Sequence, residues 1–199
     1  MSPFIETINL LNGELRNLQY HQERFERTRS QNLRMSNHPK LSRVIQIPNG
    51  LDLGNYKCRV VYGKEIERIE FEPHLSKAIG SLKLVYSDTI SYGYKSADRT
   101  ALDLLFSLRG NCDDVLIVKD GCITDSYTAN VIFWNGIGWY TPDTPLLPGT
   151  MRAYLLDDGS VHEERITPDD LSKFHKIRLI NAMNDLDEGQ VLPIEAVKY

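Results

Sequence analysis

ITDSYTANVIF at residues 123–133 leads through WYTP at 139–142 to LLPGTMR at 146–152. These three pieces are read as hairpins that end in a helix start. Val115–Val118 and Cys122–Thr124 flank Lys119-Asp120-Gly121, and Val131–Trp134 and Gly138–Thr141 flank Asn135-Gly136. Both connections carry the glycine that tight turns need. Pro148-Gly149 then precedes a short helix expected over Thr150–Leu156. The open backbone N–H groups at such a helix start suit a phosphate. Asp125 follows a strand; it reads either as a turn residue satisfying local amides or as a carboxylate aimed at a protonated ring nitrogen.

Upstream, Phe4–Leu10 alternates and meets Asn12-Gly13, which predicts a strand on each side of a tight hairpin. A polar helix is expected from Leu18 to Met35, broken by His38-Pro39. A short helix or turn over Lys40–Ile47 comes next, then strands over Lys57–Tyr62, Glu65–Glu72 and Ser81–Ser87. This N-terminal half reads as a small α+β unit with a meandering sheet. The polar stretch Tyr86–Tyr94 suggests a boundary, giving subdomains 1–88 and 89–199. Beyond it, Ala101, Leu104, Leu105 and Leu108 are spaced as one face of a helix. Thr167-Pro168-Asp169-Asp170 reads as a capped helix start, and 177–180 and 190–194 as closing strands.

With 199 residues and 41% hydrophobic content the chain can build one domain or two small ones. A net charge of −4 gives no basic surface for nucleic acid or an acidic membrane. No stretch has transmembrane length, and MSPFIETINL lacks the pattern of a signal peptide. Cys58, Cys112 and Cys122 have no CxxC spacing and suit a reducing cytoplasm. Five histidines without HxxxH or HExxH spacing give no metal site.

Lys95 in YKSADR lies where a strand-like segment gives way to a helix, so a rigid element can aim its side chain. An imine-forming lysine needs a depressed pKa. Taken alone it is an ordinary surface lysine. Arg24 in HQERF is either a solvated helix residue or a guanidinium fork for a phosphate.

Taken together, HQERF, YKSADR, ITDSYTANVIF, WYTP and LLPGTMR resemble, in order and spacing, the class IV aminotransferase family of fold-type IV pyridoxal-phosphate enzymes. FIETI, with Glu6 and Thr7, resembles that family's N-terminal strand. The resemblance implies an α+β fold of two small α/β subdomains, D-amino acid aminotransferase-like, with the cofactor in the cleft between them. It implies Lys95 as the catalytic, cofactor-carrying lysine, Arg24 and Thr150-Met151 at the phosphate, and Asp125 at the ring nitrogen. LINAM adds Asn181 and Ala182 near the phosphate. Arg59 in KCRVVYG stands near a family segment that carries a substrate-binding arginine, and reads equally as an exposed strand residue. A homodimer and a small amino acid-like substrate follow from the same resemblance.

The chain departs from the family pattern at two site positions. Asp125 replaces the usual Glu and is one methylene shorter. Thr150-Met151 replaces Ile-Thr and displaces the hydroxyl by one residue. The compact C-terminal half is closest to 4-amino-4-deoxychorismate lyase, which releases pyruvate and 4-aminobenzoate. A D-amino acid or branched-chain aminotransferase, and a pyridoxal-phosphate-binding protein without turnover, are the alternatives.

Overall fold

Asn12 and Gly13 take φ values of 49° and 82°, the left-handed pair that a two-residue hairpin requires. They join β1 (Phe4–Leu11) to β2 (Glu14–Leu15) in the computed structural model, which describes residues 2–186 and 189–199. The chain forms two compact units. The first contains the residues up to Ser76 together with Tyr94–Asp98, and the second Lys77–Gly93 together with Arg99–Tyr199.

In the first unit β1 pairs with β3 (Asn55–Tyr62), and β3 with β4 (Ile66–Pro73), giving an antiparallel sheet in the order β2-β1-β3-β4. Alternation sends Phe4, Ile8, Cys58, Val60 and Tyr62 to one face, where they meet Phe25 of α1 (Leu18–Gln31). The Phe25 and Tyr62 ring centroids are 4.6 Å apart. Sealing a ring such as Phe25 from water stabilises the fold by about 2–3 kcal/mol. The helix stops at Gln31 rather than Met35, since Arg34 turns to φ 55° and leaves the helical region. The expected segment over 40–47 contains one helical turn, α2 (Leu41–Val44).

The second unit is built on a mixed sheet. Its strands are β5 (Leu82–Tyr86), β6 (Asp114–Lys119), β7 (Cys122–Ser126), β8 (Asn130–Trp134), β9 (Trp139–Pro142), β10 (Val161–Glu164), β11 (Lys176–Ile180), β12 (Val191–Pro193) and β13 (Val197–Lys198). The main path runs β10-β9-β8-β7-β6-β5-β13, with β11 joining β8 to β12. Leu116, Ile123, Val131, Phe133, Phe174 and Ile177 form its core.

Set against a boundary at 88/89, this division moves two segments. β5 runs parallel to β6 and so belongs to the second unit. Lys95 belongs to the first, because its carbonyl accepts from Ile5 N–H at 2.9 Å and the next residue, Ser96, bridges Phe4.

Two helix expectations also change. α3 (Thr100–Ser107) buries Leu102 and Leu105 against Val115 and Ile117, while Leu104 and Leu108 are exposed. The predicted face is thus rotated, because a two-turn helix lying on β6 offers a single i, i+3 pair. Thr167 caps as expected, its N–H and hydroxyl both donating to Asp170 Oδ2. The helix it caps is a 3-10 helix, Pro168–Lys173, because β11 begins at Lys176.

Candidate active site

Glu6 occupies the α1-facing side of β1, between Phe4 and Ile8, so the fold buries a carboxylate completely. His21 and Arg24 lie three residues apart on α1 and both reach it. Arg24 Nε donates to Glu6 Oε1 at 3.0 Å and Nη2 to Oε2 at 2.6 Å, a two-pronged fork. His21 Nδ1 donates to the same Oε2 at 2.7 Å. Burial by itself raises the pKa of Glu6, but Arg24's charge and the hydrogen bonds of His21 and Arg24 outweigh it and bring it to about 2. Burial lowers the pKa of His21; the bond and charge of Glu6 oppose this, while the charges of Arg24 and Lys95 add to it. His21 is therefore a neutral donor. The influence of Lys95 on His21 ties the predicted lysine electrostatically to the cluster that holds the predicted arginine.

Arg59, on β3 between Thr7 and Glu70, emerges on the face away from α1. It is half-buried, and its Nε has no hydrogen-bond partner among the described residues.

In the second unit, Asp125 near the end of β7 is buried. Its Oδ1 accepts from Asn130 Nδ2 at 2.7 Å and its Oδ2 from the Leu147 N–H at 2.9 Å. The same Asn130 Nδ2 donates to the Leu147 carbonyl at 2.9 Å. One side-chain amide thus ties the acid to the LLPG turn. Burial raises the Asp125 pKa to about 6, against the pull of Leu147 N–H, Asn130 and the charge of Arg152. A Cβ on Gly149 would stand 2.0 Å from Asn130 Oδ1, so glycine is required there for space. Its φ of −75° is ordinary.

Gly149 leads into α4 (Thr150–Asp157), whose first residues Thr150, Met151 and Arg152 are buried. Arg152 is held by the Pro142 carbonyl at 2.9 Å and by Glu163. Ile180 pairs with Asn130 across β11 and β8, so the turn that begins at Asn181 lies beside this network. Asn181 gives its N–H to Asn184 at 3.0 Å, and its Oδ1 accepts from Met183 N–H at 2.9 Å. Both groups are committed within the turn, which leaves Ala182 as the better backbone donor of the predicted pair.

The structure therefore gathers Arg24 with the Lys95 segment in one unit, and Asp125 with Thr150, Met151 and the Asn181 turn in the other. Sequence reasoning leaves out Glu6, His21, Asn130 and Gly149 as site residues. For Glu6 the signal is a carboxylate on the apolar face of FIETI, which needs a cationic partner. For Asn130 it is an amide at the head of the apolar run VIFW. Among the described residues no group of three or more His, Cys, Asp or Glu is placed to hold a metal ion. None of their helices is long and apolar enough to cross a membrane.

A buried acid, a fixed guanidinium and a helix start are parts found in many sites, and known proteins narrow the choice. The family model described as amino-transferase class IV matches residues 77–194. The chain belongs to the class IV aminotransferase family. It is 38% identical over 188 residues to an uncharacterized Haemophilus influenzae protein, covering 94% of this chain and 100% of that one. A crystal structure from Haemophilus somnus 129PT, provisionally described as a 4-amino-4-deoxychorismate lyase, superposes with a TM-score of 0.88 at 35% identity. That match covers 94% of this chain and 98% of the other. A fold IV-transaminase from Curtobacterium pusillum is similar in fold, with a TM-score of 0.76 at 18% identity over 96% of this chain and 76% of its own. The fold is thus the α+β, fold-type IV architecture of this enzyme family.

Proposed function

We propose that this class IV aminotransferase family member is a pyridoxal-phosphate-dependent lyase that cleaves 4-amino-4-deoxychorismate, or a close analogue, into pyruvate and 4-aminobenzoate. The observation that supports the lyase reading over transamination is the end-to-end likeness to the Haemophilus somnus protein.

The donor set suits the cofactor. A phosphate dianion takes charge-assisted bonds from a guanidinium and from helix N-terminal amides, here Arg24 and the start of α4 at Thr150 and Met151, with Ala182 nearby. Glu6 takes two of the five Arg24 donors and fixes the plane of the fork. Asp125 accepts from the Asn130 side chain and from the Leu147 and Leu146 N–H groups, and a lone pair left over can take the ring N–H and hold its proton. Bound there, the cofactor supplies an electron sink for charge that develops at the substrate's α-carbon. Lys95 would hold the cofactor and would move the proton at that carbon. Arg59 orients a substrate carboxylate.

Three cysteines without a disulfide suit the cytoplasm, and a homodimer follows from the family resemblance.

Reconstituted protein given aminodeoxychorismate and no keto acid should release 4-aminobenzoate, followed by chromatography. Turnover only of D- or L-amino acids with 2-oxoglutarate would select the aminotransferase reading. No turnover with retained cofactor would select a binding protein. Lys95→Ala should abolish cofactor trapped by borohydride; trapping that persists would overturn the assignment of Lys95.

A further inference from the structure

Asp125 stands at a weak point in the sheet of the second unit. Among the described residues β7 and β8 pair at one position, Asp125↔Asn130, so the ladder alone does little to fix the acid. The connection between the two strands closes on itself, Ser126 N–H donating to the Ala129 carbonyl at 2.8 Å. Tyr127 lies inside that connection, and each of its polar atoms is held from outside it.

The Tyr127 N–H donates to buried Asp114 Oδ1 at 3.3 Å, and its hydroxyl to Asp103 Oδ1 of α3 at 2.7 Å. Its carbonyl accepts from Arg99 Nη2 at 2.7 Å. The ring stacks on Phe106 of α3 with centroids 4.3 Å apart, and the guanidinium carbon of Arg99 lies 4.4 Å from the Tyr127 centroid. Arg99 thus holds one residue twice, by a hydrogen bond and by a cation–π contact. The same guanidinium lies 5.8 Å from the ring of Tyr92. Tyr92 and Arg99 flank the Lys95 segment in sequence. One side chain therefore closes the base of that excursion and grips the connection that follows Asp125.

The helix itself gains nothing from an arginine at this position. Arg99 is the N-cap residue of α3, where Ser, Thr, Asp and Asn are favoured, and its side chain makes no capping bond. Its charge also stands against the positive end of the helix dipole. A residue that breaks a local rule in this way marks a demand from elsewhere in the fold, and the contacts of Arg99 lead to Tyr127.

We propose that Arg99 is a positioning residue for Asp125: by holding Tyr127 it keeps the β7–β8 connection closed and so aims the carboxylate at the ring nitrogen of the cofactor. The inference rests on the assignment of Asp125 to that nitrogen under the proposed function. Arg99 acts through its planar fork and its stacking, so the geometry of the side chain counts and not its charge alone.

Isothermal titration calorimetry on the cofactor-free full chain tests this with two probes, pyridoxamine phosphate and its deaza analogue, in which C–H replaces the ring nitrogen. Neither forms an imine with lysine, so the ratio of their affinities reads the ring-nitrogen contact. The parent should prefer pyridoxamine phosphate by about tenfold or more, and Asp125→Asn should remove most of that preference. Arg99→Met should cut it to under about threefold and leave the affinity for the deaza analogue in place. Tyr127→Leu loosens the connection from the other side; it should do the same, and it serves where Arg99→Met fails to fold. Arg109→Met removes an equal charge from beside Phe106, one ring further along the stack, and should keep the preference. A preference that survives Arg99→Met or Tyr127→Leu would overturn the inference. So would equal weakening of both probes in Arg99→Met, the mark of a purely structural role, or an equal loss of preference in Arg109→Met. The parent and Asp125→Asn separate the two failures. A preference that depends on Asp125 but not on Arg99 sinks the inference alone. No binding or no preference in the parent, or a preference that survives Asp125→Asn, sinks the assignment of Asp125 and the inference with it.

Discussion

Glu6 and Asp125 are both carboxylates sealed from water, one in each unit, yet their pKa values move in opposite directions. Burial acts on both to raise the pKa. Glu6 faces the full charge of Arg24 and falls to about 2. Asp125 has neutral N–H donors from Asn130, Leu147 and Leu146 as its direct partners, and rises to about 6. Neutral dipoles satisfy the oxygens of a carboxylate without offsetting the loss of water around its charge. In the first unit a permanent cation is neutralised and fixed in place. In the second an acid is left responsive, and a cationic ring nitrogen would be its natural partner under the proposed function.

The sharpest way to break this contrast is Glu6→Gln. It strands Arg24 in a buried setting, and removing one member of a buried ion pair costs about 3–5 kcal/mol. Denaturant melts should show that loss, and cofactor retention should fall with it. Asp125→Asn should behave differently, because no cation is bound directly to it.

The pH dependence sharpens the same point. Glu6 has a folded pKa below its usual 4.5, so its contribution is present above 4.5 and lost as pH falls toward about 2. That shift is worth about 3 kcal/mol. Asp125 has a folded pKa above its usual 3.8, so the folded state holds its proton longer than the unfolded chain does. Its contribution is present below 3.8 and lost as pH rises through about 6, again worth about 3 kcal/mol. Chemical melts on the cofactor-free chain between pH 3.8 and 6 should lose this downward component in Asp125→Asn. Melts from pH 4.5 down should lose the other component in Glu6→Gln. A parent-like pH profile in either variant would break the comparison on that side.

Gly149→Ala should cost about 1–3 kcal/mol, because the new methyl collides with the amide that ties Asp125 to Leu147. Thermal melts measure the cost, and an upfield or downfield move of the Asn130 amide resonances would locate it. Smallest of all is Leu104→Gln. Leu104 is 65% exposed, so the change should stay within about 0.5 kcal/mol, whereas a helix face laid through Leu104 would predict several times that.

Local signals carry much of this molecule. Asn12-Gly13 and Asp120-Gly121 form their turns with positive φ at both residues, as their side chains allow. LLPGTMR does end in a helix start at Thr150. Pairing over distance is beyond such signals. SLKLVYS reads as a third strand of the first sheet, but its partner is β6, some thirty residues later, and parallel partners leave no turn between them to recognise. The α3 face is misplaced because Leu104, Leu105 and Leu108 are equally apolar, and only the position of β6 selects Leu102 and Leu105. The role of Asn130 is hidden for a similar reason. Its partners are five and seventeen residues away, and only the returning LLPG turn shows why an amide stands there.

The Lys95 segment has one further consequence, for how this gene can be divided. Tyr94–Asp98 folds with the strands of the first 76 residues, although the chain on either side of it folds with the second unit. A fragment that ends at Ser76 therefore lacks the peptide that bridges Phe4 and accepts from Ile5. A chimaera joined at that point would lay β1 from one parent against a lysine from the other. Two crossovers, one on each side of Tyr94–Asp98, are needed to carry Lys95 together with the strand it rests on.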